Sequence, residues 1–246
     1  MTNELQARAY GRAAWPQIME GLPIASTSPF FTLDAFDGER ANAIIQALEL
    51  GETDEWVSWR NVLLNDEPLN QRLVEQGMKN PENRASIQWD DATLLFTSCL
   101  ELTKEGRPLP LGETLTRERF GRFPWGDGSL LGYFLDYIRP NRSMTTNDAQ
   151  DIYDSIIDLL TSLTNRCMDI QRGHQGFEEG FGGLHLRGYL TAEEVTLLRR
   201  NLSSRTWTAS FEEPLDGGVA DAAKHLLTLL KSAERRDVGV LLRSHA

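Results

Sequence analysis

"GVADAAKHLLTLLKSAERRDVGVLLRSH", residues 218–245, changes its hydrophobic period partway along. From Val219 to Ala233 apolar residues recur every three or four positions, as one buried face of an α-helix requires. Beyond Asp237 the pattern shortens to the alternation of a terminal β-strand. A strand needs a neighbour, because its backbone N–H and C=O groups must be paired. Two other stretches have the composition to supply one, "LHLRGYL" (184–190) and "PFFTLDAF" (29–36). The expected fold is therefore α+β, predominantly helical, with one small sheet that includes the C-terminal strand.

Working back along the chain, helical periodicity recurs with capping residues in place. "DGERANAIIQALELGE" ends at Gly51, and "TDEWVSWRNVLL" follows with Trp56 and Trp59 one turn apart. "NDEPLNQRLVEQG" offers Asp66 as a cap and Pro68 in the first turn, while Asp90 begins a helix expected to close at Gly106. Ser129 caps "LLGYFLDYI", and the longest helix is expected from Asp148 to about Gln171. Thr191 and Glu194 form a capping box for "AEEVTLLRRNL". The Pro- and Gly-rich segment 107–128 reads as loop and is the candidate boundary if the chain, expected to be a single domain over 1–246, divides.

The bulk numbers narrow the function classes. The 246 residues carry 40% hydrophobic and 25% charged side chains, with no apolar run long enough for a membrane span and no signal-peptide pattern. A cytoplasmic location is expected. Cys99 and Cys167 are expected to be reduced and structural. The formal net charge of -11 argues against nucleic-acid binding, which needs a basic face, and favours a cationic partner.

The sequence contains no GxxxxGK[ST], HExxH or GxSxG, and His185 stands where the third glycine of GxGxxG would be. No cofactor is expected. "RGHQGFEEGFGGLHLRGYLT" (172–191) is the one stretch with metal-ligand chemistry: His174, Glu178 and His185 could hold zinc with an open position for water. A metal-assisted or His/carboxylate hydrolase is the alternative reading that follows. Against it, the segment reads first as a solvated connector, and after that as a binding loop in which Glu178 and Glu179 face a partner.

Two surfaces are candidate partner contacts. In "FGRFPWGDGSLLGYF", Phe123 and Trp125 are the aromatic anchors that an interface would use, unless they seal a core. In "NDAQDIYDSIIDLLTSLTNRCMDIQ", Asp148, Asp151, Asp154, Asp158 and Asp169 fall within a wedge of roughly 120° when residues are placed at about 100° each. Apolar residues fall opposite. The helix dipole explains the first carboxylates but not Asp158 or Asp169, and the whole row also reads as an ordinary solvated helix face.

The last quarter of the chain carries Tyr189, Leu190, Thr191, Glu193, Glu194 and Val195, then Ala233, Val238, Gly239, Val240 and Leu241. In these residues, 184–245 resembles the C-terminal part of YfbM-like uncharacterised bacterial domains, departing from them at Ala192, where proline is usual. The resemblance implies an α+β arrangement and a bacterial origin, and it implies no activity. The leading expectation is an acidic protein-binding module, with an immunity or inhibitor protein against a basic toxin as the fitting example. An acidic mimic of nucleic acid is a further class.

Overall fold

The computed structural model describes residues 30–51, 53–102, 108–109, 111, 123–144, 146–168 and 177–245. In chain order its elements are β1 (Phe30–Phe36), α1 (Gly38–Leu50), α2 (Val57–Asn65), α3 (Glu67–Glu75), α4 (Asp91–Cys99), α5 (Leu130–Tyr137), β2 (Ile138–Pro140), α6 (Asn147–Asn165), β3 (Glu179–Gly180), β4 (Leu184–Leu190), α7 (Ala192–Leu202), β5 (Trp207–Ala209), α8 (Gly218–Arg235) and β6 (Gly239–His245). Helix dominates an α+β architecture. The larger sheet runs β1-β6-β4-β3, antiparallel throughout, so the C-terminal strand lies between the two segments expected to pair with it. Strands from both sides of the 107–128 segment share this sheet. A two-stranded ribbon, β2 with β5, adds to the single sheet expected; its three-residue strands are too short to show a period.

Helices cover both faces of the larger sheet, which is why "FFTLDAF" is buried almost throughout, Thr32 and Asp34 included. Phe31, Leu33, Ala35, Val240 and Leu242 pack with α5, α6, α7 and α8. Phe36, Leu186, Tyr189 and Leu241 pack with α1, α2, α3 and α4. Each fully buried Leu or Phe contributes about 1.5–3 kcal/mol from removal of apolar surface from water. The two layers therefore grip the sheet firmly.

The expected caps form. Asp66 accepts from Leu69 N at 3.0 Å, Asp90 from Thr93 N at 2.7 Å and Ser129 from Gly132 N at 3.0 Å. Thr191 and Glu194 close a reciprocal capping box at the start of α7.

Two helix ends differ from expectation because the backbone beyond them finds partners in or beside the sheet. α4 stops at Cys99, since Leu100 bridges Phe36 and the flanking bonds Asp37 N to Cys99 O (2.8 Å) and Glu101 N to Ala35 O (3.1 Å) extend the edge of β1. α6 stops at Asn165, where Cys167 N donates to Arg187 O at 3.0 Å and Phe177 N to Cys167 O at 2.7 Å. At the α1–α2 joint, Glu55 and Trp56 are consecutive left-handed residues, and the Trp56 ring occupies the space a Cβ on Gly51 would need. That contact fixes the turn between the two helices.

Candidate functional site

α6 builds the acidic surface expected of it. Thr146 caps the helix through Ala149 N at 3.2 Å, and Ala149, Ile156, Leu159, Leu160 and Leu163 form its buried side. Asp148, Asp151, Asp154 and Asp158 are all exposed on the other. No cation among the described residues is ion-paired to any of the four. Among the described residues, only Asp154 has a side-chain partner, Gln150 Nε2 at 2.7 Å. Like-charge pairs at these spacings oppose a helix by about 0.2–0.5 kcal/mol each. Burial of the apolar side outweighs that cost several times over, so the stripe is stable without counter-charges. Asp169 lies outside the described residues.

The glycine stretch resolves into a hairpin from residue 177 onward. Gly182 and Gly183 turn the chain at φ 70 and φ 76, and β3 pairs β4 with Glu179 opposite His185. Asp90, while capping α4, also accepts from Phe181 N at 3.1 Å, and a Cβ on Gly180 would lie 2.8 Å from Thr93 Oγ1. The hairpin tip is thus tied to α4, leaving Phe181 62% exposed.

Of the proposed metal ligands, Glu178 and His185 take different partners on this hairpin. Glu178 faces Arg187 at 3.6 Å, whereas Glu179 approaches His185 Nδ1 at 4.0 Å. His174 lies outside the described residues. Among the described residues, no three His, Cys, Asp or Glu side chains are grouped to hold a metal.

The aromatic segment divides between core and surface. Phe123 is 3% exposed and packs against Tyr133 at 4.7 Å, so the expected partner contact at Phe123 is instead part of the core. Trp125 is half-buried, edge-on to Tyr133 at 6.2 Å and Tyr137 at 6.4 Å. Tyr133 is locked in place, donating to Glu213 Oε1 at 3.1 Å and accepting from Leu215 N at 3.2 Å. Burial pushes its phenol well above the ordinary range, so it stays protonated at neutral pH. Phe120, Arg117, Arg119 and Arg122 lie outside the described residues.

The cysteines offer no nucleophile. Both are buried and free; burial raises the Cys167 thiol to about 12 and lifts Cys99 well above its usual value. The thiolate that chemistry needs is therefore absent near pH 7.

Two clefts flank the start of α1 and were not singled out from sequence. One, about 590 Å³, lies between α1 and α2; the other, about 460 Å³, lies between the end of β1, the start of β6 and the start of α7. Asp37, Glu39 and Arg40 line both. Arg40 bridges the caps of α1 and α3: Asp37 and Asp66 each use one oxygen to cap a helix and the other to bind its guanidinium, at 3.1 and 2.8 Å. Arg72 donates to the Ser98 and Leu100 carbonyls at 3.1 and 3.0 Å, closing the end of α4. The sequence signal for this region is charge density. Residues 37–67 hold eight carboxylates against Arg40 and Arg60.

No family model matches the chain, and it has no significant match among curated proteins or solved structures. The geometry of its own surfaces is what a functional reading rests on.

Proposed function

We propose that the chain is an acidic protein-binding module acting in the cytoplasm on a basic protein partner. The observation that carries this reading is the exposed row Asp148, Asp151, Asp154 and Asp158, without an ion-pair partner among the described residues, on one face of a helix whose opposite face is core. Fixed carboxylates on a rigid element steer a cationic protein and orient it on encounter, which raises association rate more than affinity. Inhibition of a basic toxin or effector, as an immunity protein performs it, fits that chemistry. The hydrolase alternative gains nothing comparable, because Glu178 is engaged by Arg187 and Glu179 stands opposite His185 with no third ligand grouped beside them among the described residues.

The test is capture from cells of the source organism with wild-type protein and with the triple variant Asp151→Asn/Asp154→Asn/Asp158→Asn. The expected result is a basic partner retained by the wild type, released by salt and lost from the variant. Retention of the same partner by both proteins would remove α6 from the interface.

A further inference from the structure

More than half of the net charge of -11 lies away from α6, in residues 37–67. Asp37, Glu39, Glu49, Glu52, Asp54, Glu55, Asp66 and Glu67 there outnumber Arg40 and Arg60 by six. Arg40 is shared between Asp37 and Asp66, so that cluster keeps one negative charge in excess.

The α1–α2 cleft lies within this region and has an apolar floor. Ala43, Ala47 and Leu50 are spaced four and three residues apart, so they form one line along α1, and Val62 faces them from α2. Leu50 is 42% exposed, and Val57, next to the lining residue Ser58, is 45% exposed. Glu39 and Asp37 stand at one end of the cleft and Asp66 beside them. A volume of about 590 Å³ is in the range of sites that enclose a ligand's anchoring groups.

We infer that this groove docks an amphipathic basic segment of a protein partner. Its apolar side chains would sit on Ala43, Leu50 and Val62, above the buried Ala47, and its Lys and Arg side chains over the carboxylate rim. Charge complementarity selects this occupant: the charged lining is Asp37, Glu39 and Asp66 against the single cation Arg40, so an acidic or neutral segment would bury the same apolar surface and leave that negative excess unmatched. The inference rests on the reading of the chain as an acidic protein-binding module but uses a separate surface. α1 packs on the sheet face that carries Phe36 and Leu241, α6 on the face that carries Leu33 and Leu242.

The experiment measures binding of the full chain to two labelled synthetic peptides by fluorescence anisotropy. One is a Leu/Lys helix of about four turns with leucines on one face; the other has glutamine at each leucine. The expected result is that the Gln/Lys peptide binds at least about tenfold more weakly, and that Ala43→Arg weakens the Leu/Lys peptide by a similar factor. Ala43 is exposed, so Ala43→Arg retains the fold, and its thermal midpoint should confirm this. Asp154→Asn/Asp158→Asn should change the peptide's affinity by less than about twofold, as distant charges are screened.

Equal binding of the two peptides, or no effect of Ala43→Arg, would overturn the assignment. So would a concentration-dependent dimer lost in Ala43→Arg, which would make the groove a contact between copies of the chain. The outcomes separate the two surfaces. Loss of the cellular partner with the α6 variant alone would leave the binding reading standing and count against the groove; loss with Ala43→Arg alone would leave the binding reading standing on the groove and count against α6.

Discussion

Asp34 in β1 has no solvent exposure, and its Oδ2 accepts from Arg243 Nε at 2.7 Å and from Thr32 Oγ1 at 3.0 Å, with Arg243 Nη2 at 2.6 Å. Arg243, itself 7% exposed, lies over the Phe96 ring. Removing one member of such a pair leaves the other charged and buried, which costs about 3–5 kcal/mol. Arg243→Met is expected to lose stability on that scale in urea unfolding, and Asp34→Asn/Arg243→Met to recover much of it. A single-variant loss under about 1 kcal/mol would show the pair to be solvated. Glu194 gives a pH-dependent case. Burial raises its carboxyl pKa, but the bidentate Arg166 guanidinium at 2.7 and 2.8 Å and the Thr191 N–H at 2.9 Å outweigh burial and leave it lowered. A lowered folded pKa stabilises above the unfolded value, about 4.3, and the benefit is lost as pH falls through the folded value. Glu194→Gln should therefore be less stable than wild type at pH 7 and converge with it in acid; a constant difference would contradict the assignment. The capping half of this residue was legible in the sequence, because Thr191 lies three positions away. Its Arg166 partner, 28 residues distant, and the Asp34–Arg243 pair, 209 apart, left no local signal.

Caps and periods identified most helices because both depend on near neighbours. Boundaries failed where tertiary hydrogen bonds ended an element early, as Leu100 and Cys167 show. "LHLRGYL" was legible as a strand, but its bulge between Leu186 and Gly188 was not. Gly188 exists for contact with α6: a Cβ there would lie 2.2 Å from Ser162 O and 2.7 Å from Leu163 O. Gly188→Ala must push α6 off β4 or distort the bulge, an overpacking cost of about 1–3 kcal/mol. Chemical denaturation of the variant checks this, and an unchanged midpoint would mean that the helix–sheet contact is looser than its geometry. The glycines of the 182–183 turn behave differently, as open space surrounds them and only their positive φ restricts substitution. One glycine-rich stretch thus contains two separate physical demands, which composition alone could not distinguish.

At the scale of the molecule, two helical layers enclose a sheet, and each layer carries a concentration of carboxylates on its outer side. The stripe on α6 was legible because its residues share one helical face and one period. The α1–α2 groove was not, because its lining comes from two helices whose relative angle is set by the Trp56–Gly51 contact. Nor did the sequence reveal that Phe123 is core while Trp125 is half-buried, since both lie in a turn with no period. Opposed acidic surfaces on a chain of net charge -11 have a kinetic consequence. Attraction to a basic protein acts before contact, and it weakens as salt shortens the screening length to about 8 Å at 0.15 M. The most direct measurement is the association rate of the captured partner with wild-type protein and with Asp151→Asn/Asp154→Asn/Asp158→Asn across a range of ionic strength. The wild-type rate should fall by at least about tenfold from low to high salt, while the variant starts slower and varies less. Identical rates and identical salt slopes for the two proteins would contradict a binding role for the α6 carboxylates.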